Sequence, residues 1–266
     1  MPYTAESLKK YETFLESLQL FPELFRIKDV EMDLKGELNP SAILDDLFFR
    51  QGNWLSFSNF FDYYFDRHKE EIKKRFSFPD YDSFSKGLRA RLYRTQFGFL
   101  TEYHAFFLSS ILFGPENVTR STELDLAGVD FRIRLQNQFY NIHIFVDTTR
   151  AWEYRRYKSQ HKEVDRLAGI HVNLPYSLQS GRFNSLRFLK NRFGVYTESY
   201  LRYFEKETQN GSIKNNNITS TNTSGFIYSG EWTKTVLTTF TKMKQYSLFN
   251  KSCYGLKEVE KNSLDA

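Results

Sequence analysis

The chain has 266 residues, a formal net charge of +5, and 18% aromatic residues, including 27 Phe and 17 Tyr. This much apolar mass excludes a disordered chain and is enough for one large core or two small ones. The absence of any run of about eighteen apolar residues excludes a membrane-spanning helix.

The N-terminal MPYTAESLKKYETF lacks the apolar centre of a signal peptide. The single Cys253 excludes an internal disulfide and a cysteine-based zinc site, and it suits a reducing compartment. The expectation is a cytoplasmic protein with no membrane partner.

In chain order, Leu8, Tyr11, Leu15 and Leu18 recur at helical spacing and predict an amphipathic helix over 5–20. A polar connection over 28–40 closes with Glu37-Leu38-Asn39-Pro40, and Pro40 opens a second helix reaching about Arg50. Phe57 to Arg75 reads as a longer helix with Phe57, Phe60, Phe61, Tyr64 and Phe65 on its apolar face. Tyr81 to Leu112 carries a long helix or helix pair. Its stripe is Leu88, Leu92, Phe99, Tyr103, Phe106 and Phe107, with Glu102 and a satisfied, buried His104 inside it. Gly114-Pro115 breaks it.

The next stretch, Glu123 to Arg150, is read as a hairpin with acids at its mouth. Asp125 on a short strand and Asp130 flank the small-residue kink Leu126-Ala127-Gly128. Phe131 to Leu135 alternates apolar and basic residues, Gln136-Asn137-Gln138 is a polar turn, and Tyr140 to Asp147 returns as a strand. Rigidly held acids suit a divalent metal such as Mg²⁺, which takes hard oxygen ligands. Beyond it, Ala151 to Arg166 is charged and helical, Ala168 to Tyr176 is a strand ended by proline, and Phe183 to Phe204 is helical.

Residues 208–224 are polar and of low complexity, a loop. A short strand near 225–228 and a helix over 236–246 close the chain. The fold class is α/β (α+β), a helical N-terminal part packed on a small mixed central sheet. One domain spans 1–266: 1–113 mainly helical, 114–207 the sheet-containing core, 208–224 the loop, and 225–266 the closing strand and helix.

Three basic clusters accompany the acids: Arg89, Arg91 and Arg94; Arg150, Arg155, Arg156 and Lys158; and Arg182, Arg187, Lys190 and Arg192. Acids for a metal beside bases for a backbone is the combination that phosphodiester chemistry uses.

Five motifs then occur in one order: Glu37-Leu38-Asn39-Pro40, Phe60-Phe61-Asp62-Tyr63-Tyr64, Ala90-Arg91-Leu92-Tyr93-Arg94-Thr95, Glu123-Leu124-Asp125 with Gly128-Val129-Asp130, and Leu174-Pro175-Tyr176-Ser177-Leu178-Gln179. Over roughly 5–245 the chain resembles the TaqI family of type II restriction endonucleases. The resemblance implies a nuclease core of the PD-(D/E)XK type, a homodimer, Mg²⁺, and cleavage of double-stranded DNA at a short palindrome, TCGA. Whether a cognate methyltransferase is encoded nearby stays open. Asp125 and Asp130 match the family's essential aspartates, with Asp130 the main metal ligand. Gln179 and Arg182 follow the Leu-Pro-Tyr strand and are candidates for reading bases. Arg91, Arg94, Arg150, Arg155, Arg156 and Lys158 are further DNA-binding candidates.

One departure stands out. Where the family carries Gln-Ile-Lys-Lys-Glu, this chain has His143-Ile144-Phe145-Val146-Asp147. Three outcomes stay open. A metal alone could suffice, with Arg150 or Lys158 taking the charge role. The ligand set could have moved: His143 or Asp147, on one strand face, could join Asp130 at the metal. Or the protein binds DNA and cuts it poorly or not at all.

Overall fold

The computed structural model describes residues 3–27, 34, 36–76, 81–146, 148, 151, 154, 155, 167–176, 185–211 and 213. Asp147, Arg150, Arg156, Lys158, Gln179 and Arg182 lie outside these, as do the expected elements at 225–228 and 236–246.

Helix α1 (Ala5–Ser17) starts where the Thr4 side chain accepts from the Ser7 amide, and it buries Tyr11 and Leu15. It stops short of residue 20 because Leu18 is already extended. Helix α2 (Pro40–Asp45) has Asn39 as its cap and Pro40 in its first turn, then widens into a π-type turn over Asp46–Arg50. Helix α3 (Phe57–Arg75) is capped by Ser56 and buries Phe57, Phe60, Phe61, Tyr64 and Ile72. Its last turn holds Lys73, Lys74 and Arg75, where cations oppose the negative end of the helix dipole.

Helix α4 (Tyr81–Phe113) has 33 residues, about 50 Å of rod, and the molecule is built around it. Leu88, Leu92, Tyr103 and Phe107 belong to a core shared with Tyr11, Leu15, Phe60 and Tyr64. Ala105, Phe106, Leu108 and Phe113 belong to a second core against the sheet. A helix apolar on nearly every side is one buried on nearly every side. It ends at Gly114, whose φ of 89° suits glycine.

The sheet runs β1 (Val118–Thr119), β2 (Phe131–Leu135), β3 (Gln138–Val146), β4 (Ile170–Tyr176) in that order. The first three are antiparallel and β4 is parallel to β3. Gln136 and Asn137 both have positive φ, the two-residue hairpin turn that matches strand twist. Phe131, Ile133, Ile142, Val172 and Leu174 face the core under α4. The opposite face carries Asn141, His143, His171 and Asn173, all buried.

Two expectations are corrected. The acids before β2 do not lie on a strand: Thr122–Leu126 is a short helix, α5, because Ser121 caps it by accepting from the Leu124 amide. The presumed kink is its C-terminal cap. Gly128 has φ 81°, its amide donates to Asp125 O, and the Val129 amide donates to Leu124 O, the paired bonds of a Schellman motif.

Residues 183–204 are not one helix either. They form a hairpin, β5 (Leu186–Phe188) and β6 (Gly194–Tyr196), then helix α6 (Glu198–Gln209) capped by Thr197. Arg192, at φ 72°, makes the tight turn. A side chain at Gly194 would run into Leu186.

Candidate active site

The Schellman cap delivers the chain from α5 to Asp130 in a bend just before β2. The Asp130 amide donates to Ile142 O at 3.0 Å, which registers the bend on β3. Its carboxylate accepts a short hydrogen bond from the Ile144 amide, and its carbonyl accepts from Arg120 Nη1 at 2.8 Å. Asp125, on α5, is exposed.

Arg120 links this bend to the helical part. Its Nε donates to Asp45 at 3.0 Å, its Nη1 pairs with Glu102, and its guanidinium lies 4.5 Å from the Phe49 ring centre. Glu102 comes from the middle of α4. Burial pushes its carboxyl up to about 8; Arg120 pulls the other way, and the charges of Asp130 and Asp125 push it up further. Burial, with Glu102 and Asp130 adding to it, also raises the Tyr176 hydroxyl. Glu102, Asp125, Asp130 and Tyr176 thus share one electrostatic neighbourhood, with Arg120 as the cation inside it.

A buried charge network of this kind is costly to break, because the remaining charges are left uncompensated. Arg120→Ala is expected to lower stability by about 3–5 kcal/mol. The check is a fall in denaturant midpoint at unchanged m, with Arg120→Lys recovering only part because it lacks the planar fork.

The other sequence candidates fall in different places. His143 is 1% exposed; its Nδ1 meets Gly128 O at 2.9 Å and its Nε2 meets His171 Nδ1 at 3.0 Å. Its ring is therefore engaged within the protein rather than offered to a ligand. Arg155 is buried and donates to Asn173. Arg94 donates to Ile27 O at 2.6 Å, tying down the segment after Phe25, and Arg91 reaches Thr95 along its own helix. His104 is buried as expected and its Nε2 pairs with Glu12 at 2.9 Å, but its Nδ1 is buried with no hydrogen-bond partner among the described residues, so the ring is only half satisfied. Burial nevertheless depresses its pKa.

Glu102 and Arg120 were missed as site residues. The available signal was that Glu102 is the only acid between Ser83 and Phe113, set in an apolar helix. Nothing local marks Arg120.

Among the described residues, no three His, Cys, Asp or Glu side chains stand close enough to cage a metal by themselves. The donor set still fits Mg²⁺, which binds through one or two carboxylates and completes its shell with water and substrate phosphate. Asp130 and Asp125 are the residues that could hold it.

The profile of the TaqI restriction endonuclease family matches residues 8–205, and the chain belongs to that family. The type II restriction enzyme TthHB8I of Thermus thermophilus is 29% identical, over 74% of this chain and 86% of its own length. The type II restriction enzyme TaqI of Thermus aquaticus is 28% identical, over 75% and 87%. No solved structure matches. Among the described residues, no helix is long and apolar enough to cross a membrane.

Proposed function

We propose that this protein is a Mg²⁺-dependent type II restriction endonuclease that cuts double-stranded DNA at a short palindrome, TCGA, acting as a homodimer in the cytoplasm. The observation that carries the reading is Arg120 tied to Glu102, Asp45 and the Asp130 carbonyl at the entrance to β2, with the charges of Asp125 and Asp130 both felt at Glu102. A bound Mg²⁺ supplies a water of lowered pKa and neutralises phosphate charge. Asp130 fixes the position of the negative charge, since the Ile144 amide holds its carboxylate. Arg120 keeps the neighbouring acids from repelling the bend apart. A palindrome matches a two-fold dimer, with each protomer facing one strand. A cognate methyltransferase would protect the host's own sites. The test is incubation of purified protein with unmethylated plasmid and Mg²⁺, followed by sequencing of fragment ends. Fragments without a common end sequence would count against site-specific cleavage.

A second reading, duplex binding without cleavage, is favoured by one observation: Phe145 and Val146 stand where the family carries lysines. Gel shift without cleavage in both Mg²⁺ and Mn²⁺ would select it.

The Glu102 carboxyl links stability to pH. Burial raises its folded pKa to about 8, above its ordinary 4.5, against the pull of the Arg120 guanidinium, so the stability it contributes is complete below about 4.5 and is lost as pH rises through about 8. The denaturant midpoint is expected to fall as pH rises through that window, and Glu102→Gln is expected to flatten the fall.

A further inference from the structure

The face of the sheet opposite α4 carries a buried row of polar side chains. Arg132 Nε donates to Asn141 Oδ1 at 2.8 Å. The Asn141 amide nitrogen lies 3.4 Å from His171 Nε2, His171 Nδ1 lies 3.0 Å from His143 Nε2, and His143 Nδ1 lies 2.9 Å from Gly128 O. The two rings are near-parallel, at 18°, with centres 5.3 Å apart. Asn141, His143 and His171 are each at most 2% exposed.

The ends of this row determine its direction. A guanidinium only donates and a carbonyl oxygen only accepts. Gly128 O therefore requires a proton on His143 Nδ1, and Arg132 requires the Asn141 oxygen to face it. The bonds between them then run one way, with His143 Nε2 accepting from His171 Nδ1–H and His171 Nε2 accepting from the Asn141 amide. Each positive end points towards the turn that separates Asp125 from Asp130, and an arginine stands at the far end to polarise the row.

We infer that Arg132, Asn141, His171 and His143 form a one-way hydrogen-bond relay that holds the Gly128 carbonyl and so positions Asp130, with His143 a positioning residue and both histidines protonated on Nδ1. The inference rests on the nuclease reading for its effect on rate, but not for its geometry. The register makes the relay possible: Asn141 pairs with Arg132 on β2 and with His171 on β4, so β3 places one side-chain row between two strands. Outer residues that orient a site typically change its activity by about 10–100-fold when removed.

Three variants and one spectrum test this. His143→Phe removes the donor to Gly128 O. His143→Asn keeps a side-chain nitrogen near the position of Nδ1. His171→Phe breaks the relay one step further back. Nitrogen-15 spectra of the histidine rings in the unmodified protein are expected to show protonated Nδ1 and bare Nε2 for both residues. His143→Phe is expected to shift the Val129 and Asp130 amide resonances and lower kcat by about 10–100-fold at unchanged KM for DNA, and His143→Asn is expected to restore most of both. His171→Phe is expected to give a smaller effect of the same kind.

A proton on Nε2 of either ring, or His143→Phe with unmoved amides and an unchanged rate, would overturn the inference. If His143→Phe does not fold, the ring spectrum and the His143→Asn amides decide it. If the unmodified protein cuts no DNA with Mg²⁺ or Mn²⁺, the nuclease reading fails, while the amide shifts and ring protons still decide the relay.

Discussion

Asp130→Asn is expected to abolish Mg²⁺-dependent DNA cleavage while leaving DNA binding intact. The substitution keeps an oxygen that can accept from the Ile144 amide, so the bend before β2 stays registered on β3. What it removes is the negative charge, and with it the hard anionic ligand on which a divalent cation depends. Losing metal-assisted stabilisation of the transferring phosphate removes several kcal/mol from the transition state. At 1.36 kcal/mol per decade, that is a fall of about a thousandfold or more. Removing a carboxylate from a surface that meets phosphates is expected to hold or tighten binding, as gel shift without metal would read. Asp130→Ala is expected to lose cleavage as well, and also some stability, because the Ile144 amide loses its partner. A protein carrying Asp130→Asn that cuts plasmid at the original rate would remove Asp130 from the chemistry.

The second large effect is a gain. Of the two positions where the family has lysine, strand alternation puts Val146 on the face of Ile142 and Ile144, beneath α4, and Phe145 on the face of Asn141 and His143. Glu102 and Tyr176 meet the site from the α4 side. Val146 is only half-buried, so a lysine there can lay its stem along apolar surface and carry its ammonium outward. Val146→Lys is therefore expected to raise the cleavage rate by about 10²–10⁴-fold, the usual scale for a positioned acid, base or electrostatic group. Phe145→Lys, on the other face, is expected to give no such gain. Single-turnover cleavage of a duplex holding one site separates the rate from binding. Equal rates for the Val146→Lys and unmodified proteins would mean that another cation already fills the role.

These two substitutions also test how far membership of the TaqI restriction endonuclease family can be carried to this chain. The family profile spans residues 8–205, and the acids at 125 and 130 stand inside that span. The lysine positions stand inside it too and are apolar here. Among the described residues, Arg120 is the cation bound at the bend. It is engaged with Glu102, Asp45 and the Asp130 carbonyl. It can hold the acids in place, but those bonds would have to break before it could reach a phosphate.

The local signals in the sequence settled α1, α3, α4 and the central hairpin. The spacing of Phe57, Phe60, Phe61 and Tyr64 marked α3, and Gly114-Pro115 marked the end of α4 to within one residue. Alternation from Phe131 to Leu135 and the turn at Gln136-Asn137 marked β2 and its return. Each of these depends on neighbours within a few positions, and caps, turns and periodicity act over that range.

Tertiary structure decided the rest. The acids at 123–125 read as strand-like but sit on a capped helical turn. Residues 183–204 read as helix, yet Val195 and Tyr196 are buried as a strand against α4 and the core. Arg120 meets Glu102 across 18 positions and Asp45 across 75, and His143 meets His171 across 28. Contacts at that separation follow from strand order and from the parallel placement of β4 beside β3. No local propensity encodes these, because they form only when the whole sheet closes on α4.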